Sequence, residues 1–296
     1  MLVLVGTIPI PGLPLIQGRV TYNDALRIGN DLEIPGAHLM HCTTAMMASA
    51  AVVCQTLGYE APYGVAAGCI GDGSGSRLLY KFLAEEAEKL DADVLTLHYI
   101  VPQTKLIKKV VDAIQTWKKR PVLVGDAGGM YAVKAAGLST LFDLFTPDPG
   151  ELAFLSDADA LHPAYVRHFI SEVDTIDMPR LIQRAYEHGD AARILLVKGE
   201  TDYIVCQGKI LTTISEPNIA AMEAIGGTGD TITGIASALV YGGYDIVEAC
   251  KHTALINRIA GQLCQPTPAT QIGDIVAHIP QALEQVLQRE GGVVHA

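Results

Sequence analysis

The sequence predicts one α/β domain that spans residues 1–296, with a mostly parallel central sheet and helices on both faces of that sheet. Short segments of branched apolar residues alternate with longer segments whose apolar residues recur at helical spacing. No linker, charge run or low-complexity tract divides the chain, and its 49% apolar residues are enough for a sizeable core. Because such sheets bind ligands at the carboxyl ends of their strands, the candidate site is expected there.

The elements follow from the spacing and type of the apolar residues. The opening run "MLVLVGTIPIPG" indicates a first strand, and the rest of residues 1–35 is left unassigned. Helical spacing predicts helices over 43–58, 77–90, 104–117, 178–188, 229–241, 245–264 and 280–288. Branched apolar segments predict strands within 93–100, 121–128, 142–151 and 193–199, followed by a hairpin over 202–214.

Composition argues against several classes of protein. A net charge of −11, with only the short basic run "WKKR", argues against a protein that binds nucleic acid by neutralising phosphates. The N-terminal apolar run has no basic flank and is broken by prolines, which argues against a signal peptide or a membrane span. No CxxC pair occurs, so the cysteines are expected to be reduced thiols of a cytoplasmic protein: Cys42, Cys54, Cys69, Cys206, Cys250 and Cys264.

The strongest chemical signal is the stretch "AIGGTGDTITGIASALVYGG" at 224–243. Gly226, Gly227 and Gly229 allow a tight turn, and the helix that follows begins with amide hydrogens that have no partner within the helix. Such a helix start is an anion site. Asp230 is expected to be ionised there and to accept a proton from a substrate hydroxyl that attacks a phosphate held by the loop. The alternative is a simple turn with a capping aspartate.

Two other strand ends carry charged residues. In "TPDPGE", the carboxylates of Asp148 and Glu151 suit a hydrated magnesium ion, and they also fit an acidic cap at the start of a helix. In "VKGE", Lys198 and Gly199 follow a strand and, taken alone, are typical of a strand that turns through glycine. Together with the glycine-rich loop, these elements indicate a phosphate and metal site.

The order of the motifs resembles the ribokinase superfamily. The motifs are "DAGG", "TPDPGE", "VKGETDYIV", "GGTGDTITGIASALVYGG", "EACKHTALINRIAGQLC" and "TPATQIGDIVAHIPQAL". Within that superfamily the chain is most similar to the ATP/ADP-dependent NAD(P)H-hydrate dehydratases, over roughly residues 120–288, with a looser match over 36–76. In the looser part, "GCIGDGSG" takes the place of a glycine-rich turn near the substrate. The resemblance implies a ribokinase-like three-layer fold.

The resemblance also implies a reaction. In that family ATP or ADP phosphorylates a hydroxyl of the hydrated nicotinamide ring, and the phosphate then leaves, which regenerates NADH or NADPH. Asp230 would be the catalytic base, and the amides of Gly227, Thr228 and Gly229 would form the anion hole.

The remaining matched residues would act around this centre. Asp148 and Glu151 would act on Mg²⁺ and phosphate through water. Lys198 and Gly199 would lie near the nucleotide, and Asp126 of "DAGG" would face the substrate side. A homo-oligomer is expected from the resemblance alone.

The departures from the family pattern fall on the substrate and metal side. The dehydratases usually have histidine in place of Asp148 and a second acid in place of Gly128. Two other functions therefore stay open. One is an ATP-dependent kinase of a small alcohol, such as a thiazole, a pyrimidine or a sugar, because fold and base do not fix the substrate. The other is a nucleotide-binding sensor without turnover, against which the presence of Asp230 argues.

Four histidines lack the spacing of metal ligands and are expected to be packed or surface residues: His98, His162, His168 and His252.

Overall fold

A computed structural model describes residues 1–36, 39, 41–161 and 177–291 of the chain. His162 and His168 lie outside these residues. Contacts divide the chain into two compact units: the first holds Met1, Val3–Leu15 and Val65–Thr213, and the second holds Leu2, Ile16–Gly64 and Ile214–Ala296. The single domain expected for residues 1–296 stays a prediction.

The first unit contains a mixed sheet with a parallel centre. Its strands are β1 (Leu2–Ile8, from Val3 onward), β5 (Tyr63–Gly68, from Val65 onward), β6 (Val94–Leu97), β7 (Val122–Gly125), β8 (Leu144–Phe145), β9 (Ile194–Val197), β10 (Asp202–Cys206) and β11 (Lys209–Ile214, up to Thr213). In space they follow the order β11-β10-β9-β8-β7-β6-β1-β5. The pairs β6–β7, β7–β8 and β8–β9 are parallel, and β9–β10 is antiparallel. The predicted α/β class with a mostly parallel centre is therefore confirmed.

Burial explains why these strands are so apolar. Every residue of β6 ("VLTL") and β9 ("ILLV") is buried, as is usual for parallel strands covered on both faces. The helices of this unit are α2 (Ser74–Glu85), α3 (Thr104–Thr116), α4 (Ala127–Ala135), α5 (Pro149–Ser156) and α6 (Met178–Glu187). In α3, Ile107, Val110, Val111 and Ile114 are buried at helical spacing, so one stripe of that helix faces the core.

The second unit combines a small antiparallel meander with a helical layer. The meander consists of β2 (Ile16–Tyr22), β3 (Ala25–Ile28) and β4 (Leu32–Pro35), paired in that order. The helices are α1 (Thr43–Leu57), α7 (Thr228–Tyr241), α8 (Ile246–Cys264), α9 (Ile272–Val276) and α10 (Ile279–Gly291). The first strand predicted at the start of the chain is confirmed as β1. The meander lies in the rest of residues 1–35, which the sequence analysis left unassigned, and it was not predicted.

Helices α1 and α7 pack backbone to backbone, which places their first turns side by side. A Cβ atom on Gly234 would lie 2.2 Å from the carbonyl oxygen of Met46 and 2.1 Å from Ser49 Oγ, so only glycine fits there. This close approach fixes the start of α7 against the start of α1.

Two further observations concern the cysteines and the helices. All six cysteines lie among the described residues, and none of them forms a disulfide. Over the described part of the chain, no helix combines the length and the apolar character that crossing a membrane requires.

Candidate functional site

The glycine-rich stretch 226–230 forms a tight turn that leads into α7, and we refer to it as the anion turn. Gly227 precedes the helix with a φ of 108°, a conformation that favours glycine. A Cβ atom there would also lie 2.7 Å from Ile272 Cγ1. Because α7 begins at Thr228, the amides of its first turn are directed out of the N-terminus of the helix. The turn has the backbone geometry on which the predicted anion hole depends.

A buried side chain from α8 braces this turn. Asn257 is 4% exposed, and its Nδ2 donates a hydrogen bond to the carbonyl oxygen of Thr228 at 3.1 Å. Thr231 Oγ1 donates to the same carbonyl at 2.8 Å and lies 2.7 Å from Asn257 Oδ1. Asn257 was not identified from the sequence, because its partners Thr228 and Thr231 lie 29 and 26 positions away along the chain.

Asp230 lies in the first turn of α7, and the main chain at the start of α1 holds its carboxylate. The residue is 8% exposed, and its Oδ2 accepts a hydrogen bond of 2.6 Å from the backbone N–H of Cys42. Cys42 adopts a φ of 75° and a ψ of −145°, which costs about 1–3 kcal/mol for a residue other than glycine. Backbone strain of this kind persists where the surrounding structure requires it.

His41 lies beside the same turn. Its Nδ1 is 2.6 Å from Cys42 Sγ, its side chain is exposed, and its Cδ2 lies 3.5 Å from where a Cβ on Gly226 would be. Neither His41 nor Cys42 was identified from the sequence. A histidine and a cysteine just before an alanine-rich helix were the available signal.

The first unit carries a second polar group, built from side chains at the carboxyl ends of β6, β7 and β9, which we call the charged cluster. Asp126 is fully buried, and both of its carboxylate oxygens accept hydrogen bonds from Lys198 Nζ, at 2.9 and 3.0 Å. Asp126 Oδ1 also caps α4 through the N–H of Ala127. His98 Nε2 lies 3.2 Å from Asp126 Oδ2. His98 and His252 are both buried.

Asp148 and Glu151 form the capping box of α5. Glu151 N donates to Asp148 Oδ1, and Asp148 N donates to Glu151 Oε2, each at 2.8 Å. The helix cap that the sequence left open as an alternative is therefore present. Asp148 is exposed and Glu151 is buried, so the two carboxylates lie in different environments.

Glu151 joins this cap to the charged cluster. Its Oε1 accepts a hydrogen bond of 2.7 Å from the hydroxyl of Tyr131, and its Oε2 lies 3.9 Å from Lys198 Nζ. Burial raises the pKa of the Glu151 carboxyl to about 7, although the ammonium of Lys198 opposes this rise. Burial also raises the pKa of Tyr131, and the charge of Glu151 adds to that rise.

These contacts bear on how a magnesium ion would fit. Both oxygens of Glu151 already accept hydrogen bonds, and one oxygen of Asp148 accepts the helix-capping bond. Direct coordination by Glu151 would compete with Tyr131 and with the cap. The donor set therefore fits a hydrated Mg²⁺ that contacts the acids through its water molecules, as Mg²⁺ commonly does.

Gly128 lies where the resemblance leads one to expect an acid. A Cβ atom there would lie 2.2 Å from the carbonyl oxygen of Ile100, so a larger residue does not fit this backbone. Gly199 has no such restriction, because its nearest neighbour, Pro149 Cγ, would be 3.6 Å away. The backbone N–H of Gly199 donates to Asp202 Oδ1 at 3.0 Å, which fixes the turn after Lys198.

The residues predicted for the site therefore form two groups. One unit holds Gly227, Thr228, Gly229 and Asp230, and the other brings together Asp126, Lys198, Gly199, Asp148 and Glu151. Their roles in binding and catalysis stay predictions.

Comparison with known proteins gives the chain a family. The family model described as NAD(P)H-hydrate dehydratase matches residues 26–282. The chain belongs to this family. It is also 45% identical over 224 residues to Uncharacterized protein MJ1337 of Methanocaldococcus jannaschii, a match that covers 76% of this chain and 92% of that protein.

A more distant relative is named for its enzymatic activity. The ADP-dependent (S)-NAD(P)H-hydrate dehydratase of Cenarchaeum symbiosum is 28% identical over 176 residues, which are 60% of this chain and 55% of that protein. This match thus spans about half the length of that relative.

Solved structures agree on the fold. The ADP/ATP-dependent NAD(P)H-hydrate dehydratase from Bacillus subtilis, co-crystallized with ATP/Mg2+, has a TM-score of 0.52 at 14% identity, over 81% of this chain and 84% of that chain. Phosphofructokinase-2 from Escherichia coli, in complex with fructose-6-phosphate, has a TM-score of 0.51 at 13% identity, over 96% of this chain and 100% of that chain. At such identities the likeness shows the fold alone, which is ribokinase-like, as the motifs implied.

Proposed function

We propose that the protein converts hydrated NADH or NADPH back to the reduced cofactor, with ATP or ADP as the phosphoryl donor and Mg²⁺ as the metal. Membership of the NAD(P)H-hydrate dehydratase family supports this reaction class. The ADP- and ADP/ATP-dependent activities for which the Cenarchaeum and Bacillus relatives are named support the use of a nucleotide.

The observation that carries the proposal is the Asp230 carboxylate in the first turn of α7. The anion turn directs backbone amides toward an incoming phosphate, and the helix dipole stabilises the negative charge that is transferred. Asp230 Oδ2 is held by Cys42 N, so the carboxylate is oriented before the substrate arrives. In this role Asp230 accepts the proton of the attacking hydroxyl, and the amides of Gly227, Thr228 and Gly229 hold the phosphate.

The charged cluster has a supporting role in this proposal. Lys198 is a buried ammonium that two carboxylates keep in place, and with Gly199 it would contact the nucleotide. Asp148 and Glu151 would hold the waters of a Mg²⁺ ion, which supplies charge neutralisation of the phosphates. Asp126 would act on the substrate side and orients Lys198 through two hydrogen bonds.

The experiment is a repair assay with purified protein. Hydrated NADH and magnesium are mixed with ATP in one sample and ADP in another, and the absorbance of the reduced nicotinamide is followed. Recovery in either sample supports the proposal and identifies the donor. Consumption of ATP with a stable phosphorylated alcohol as product, and no recovery of NADH, would favour a small-alcohol kinase instead. A cytoplasmic location and a homo-oligomer remain predictions that go with this function.

A further inference from the structure

The proposed reaction removes two protons from the substrate, and Asp230 accounts for the removal of one of them. In the first step a hydroxyl oxygen attacks phosphorus and loses its proton. In the second step the carbon–oxygen bond to the phosphate breaks, and the neighbouring carbon must lose a proton so that its electron pair can form the double bond. Asp230 suits the first step, because its carboxylate is buried and fixed at the anion turn.

A second titratable side chain lies next to the same turn. His41 directly precedes Cys42, whose N–H holds Asp230, and the ring of His41 lies against the backbone of Gly226. The side chain is exposed, so it is open to a molecule bound at the turn. Imidazole is a common general base in enzymes, which suits the removal of a proton from carbon.

Cys42 fixes the orientation of this ring. His41 Nδ1 lies 2.6 Å from Cys42 Sγ. In the tautomer in which Nδ1–H donates to sulfur, the lone pair of Nε2 becomes the acceptor, and the thiol keeps the ring from rotating. The strained backbone of Cys42 thus serves two neighbours, because its N–H orients Asp230 and its side chain orients His41.

The other described histidines of the second unit do not fit this role. His252 is 5% exposed and packs edge-on against Tyr244. His278 Nδ1 lies 2.8 Å from the carbonyl oxygen of Asp274, at the C-terminal end of α9.

We propose that His41 is the proton acceptor of the elimination step. This assignment rests on the proposed function and adds a second catalytic residue to it. Asp230 takes the hydroxyl proton while the oxygen bonds to the transferred phosphorus and the bond to the nucleotide breaks. The carbon–oxygen bond then breaks, with its electron pair leaving on phosphate. The proton on the adjacent carbon passes to His41 Nε2, and the electrons of that carbon–hydrogen bond form the new double bond.

The test separates the two steps by following two products. Wild-type protein, His41→Gln and the surface control His188→Gln are mixed with hydrated NADH, magnesium and the active nucleotide. Quenched samples give nucleotide cleavage by chromatography, and absorbance gives the return of NADH. We expect His41→Gln to cleave nucleotide in the first turnover but to return NADH about 10²–10⁴-fold more slowly, the range for a lost general base. A phosphorylated, still hydrated cofactor should then be detected by mass spectrometry.

A second variant guards against a purely structural effect. His41→Gly leaves space for an added imidazole, which should restore part of the NADH return without changing the rate of nucleotide cleavage. The inference is overturned if His41→Gln returns NADH in step with nucleotide cleavage at the wild-type rate. It is also overturned if both signals fall equally, since His41 would then act before phosphoryl transfer. Wild-type protein that cleaves no nucleotide in the presence of the hydrated cofactor would overturn the proposed function and this inference together.

Discussion

The anion turn and the charged cluster are built in opposite ways. The anion turn presents main-chain amides, and its shape depends on glycine at a positive φ of 108° and on the start of one helix. The charged cluster presents side chains: Asp126 and Lys198 follow two strands, and Glu151 of α5 lies against Lys198. The first depends on backbone conformation, and the second depends on the mutual neutralisation of buried charges.

This difference predicts how each region responds to amino-acid substitutions. A backbone site cannot be removed by truncating a side chain, and it is damaged when a residue other than glycine displaces the turn. A buried charged cluster is sensitive to the loss of one partner, which leaves another charge unpaired in a medium of low polarity. Substitutions in the two regions should therefore separate effects on chemistry from effects on stability.

The largest expected effect comes from Asp230, the proposed catalytic base at the anion turn. Asp230→Asn keeps the shape of the side chain and removes its capacity as a base. We expect kcat to fall by about 10²–10⁴-fold, while nucleotide affinity changes little because the amides remain in place. Steady-state kinetics and calorimetry measure the two quantities. Asp31→Asn, at an exposed turn between β3 and β4, is the matched control. Near-normal turnover of Asp230→Asn would remove Asp230 from the mechanism.

The charged cluster should respond in stability and with a definite dependence on pH. Burial raises the pKa of Glu151 from 4.5 to about 7, so between these values the native state binds more protons than the unfolded state. The stability that Glu151 contributes is therefore present at low pH and declines as the pH rises toward 7. Glu151→Gln does not titrate and should lose this decline, which amounts to about 3 kcal/mol at most.

Denaturant unfolding at several pH values between 4.5 and 8 checks this expectation. Glu187→Gln, at an exposed carboxylate at the end of α6, should retain the wild-type dependence on pH. If Glu151→Gln and the wild type decline in parallel, the buried carboxyl is not the group that titrates.

Parts of the site that depend on local sequence were predictable, and parts that depend on distant contacts were not. The anion turn was predictable, because its positive φ and its close approach to Ile272 both require glycine, and the sequence "GGTGD" has glycine at that position. The backbone strain at Cys42 was not predictable, because the residue at this position is not glycine. Its contact with Asp230 also joins residues that are 188 positions apart. Contacts at that separation leave no local pattern.

The fold shows a similar division. Strands β6 and β9 were predicted because every residue in each of them is buried, which makes them continuously apolar. The meander was missed because β2 buries only Ile16, Val20 and Tyr22 among polar neighbours, so its apolar signal is weak. The capping box at Asp148 and Glu151 was foreseen as an alternative, whereas the convergence of Asp126 with Lys198 depends on strands that meet only in the folded sheet.

The smallest expected effect concerns the backbone of the anion turn itself. Gly227→Ala places a Cβ atom at a φ of 108° and 2.7 Å from Ile272 Cγ1. The left-handed backbone costs about 1–2 kcal/mol, and relief of the contact must displace either Ile272 or the turn. If the turn moves, the amides lose their alignment, and we expect nucleotide affinity to fall about tenfold, which corresponds to 1.4 kcal/mol.

Gly243→Ala isolates the steric part of this effect. Gly243 also has a positive φ, 95°, but a Cβ atom there would meet nothing within 4 Å. Both variants should lower the free energy of unfolding through backbone strain, and only Gly227→Ala should weaken nucleotide binding in calorimetry. If the two variants lose affinity equally, the loss would come from general destabilisation. If neither loses affinity, Ile272 yields in place of the turn, and the amides of α7 keep their alignment without glycine at position 227.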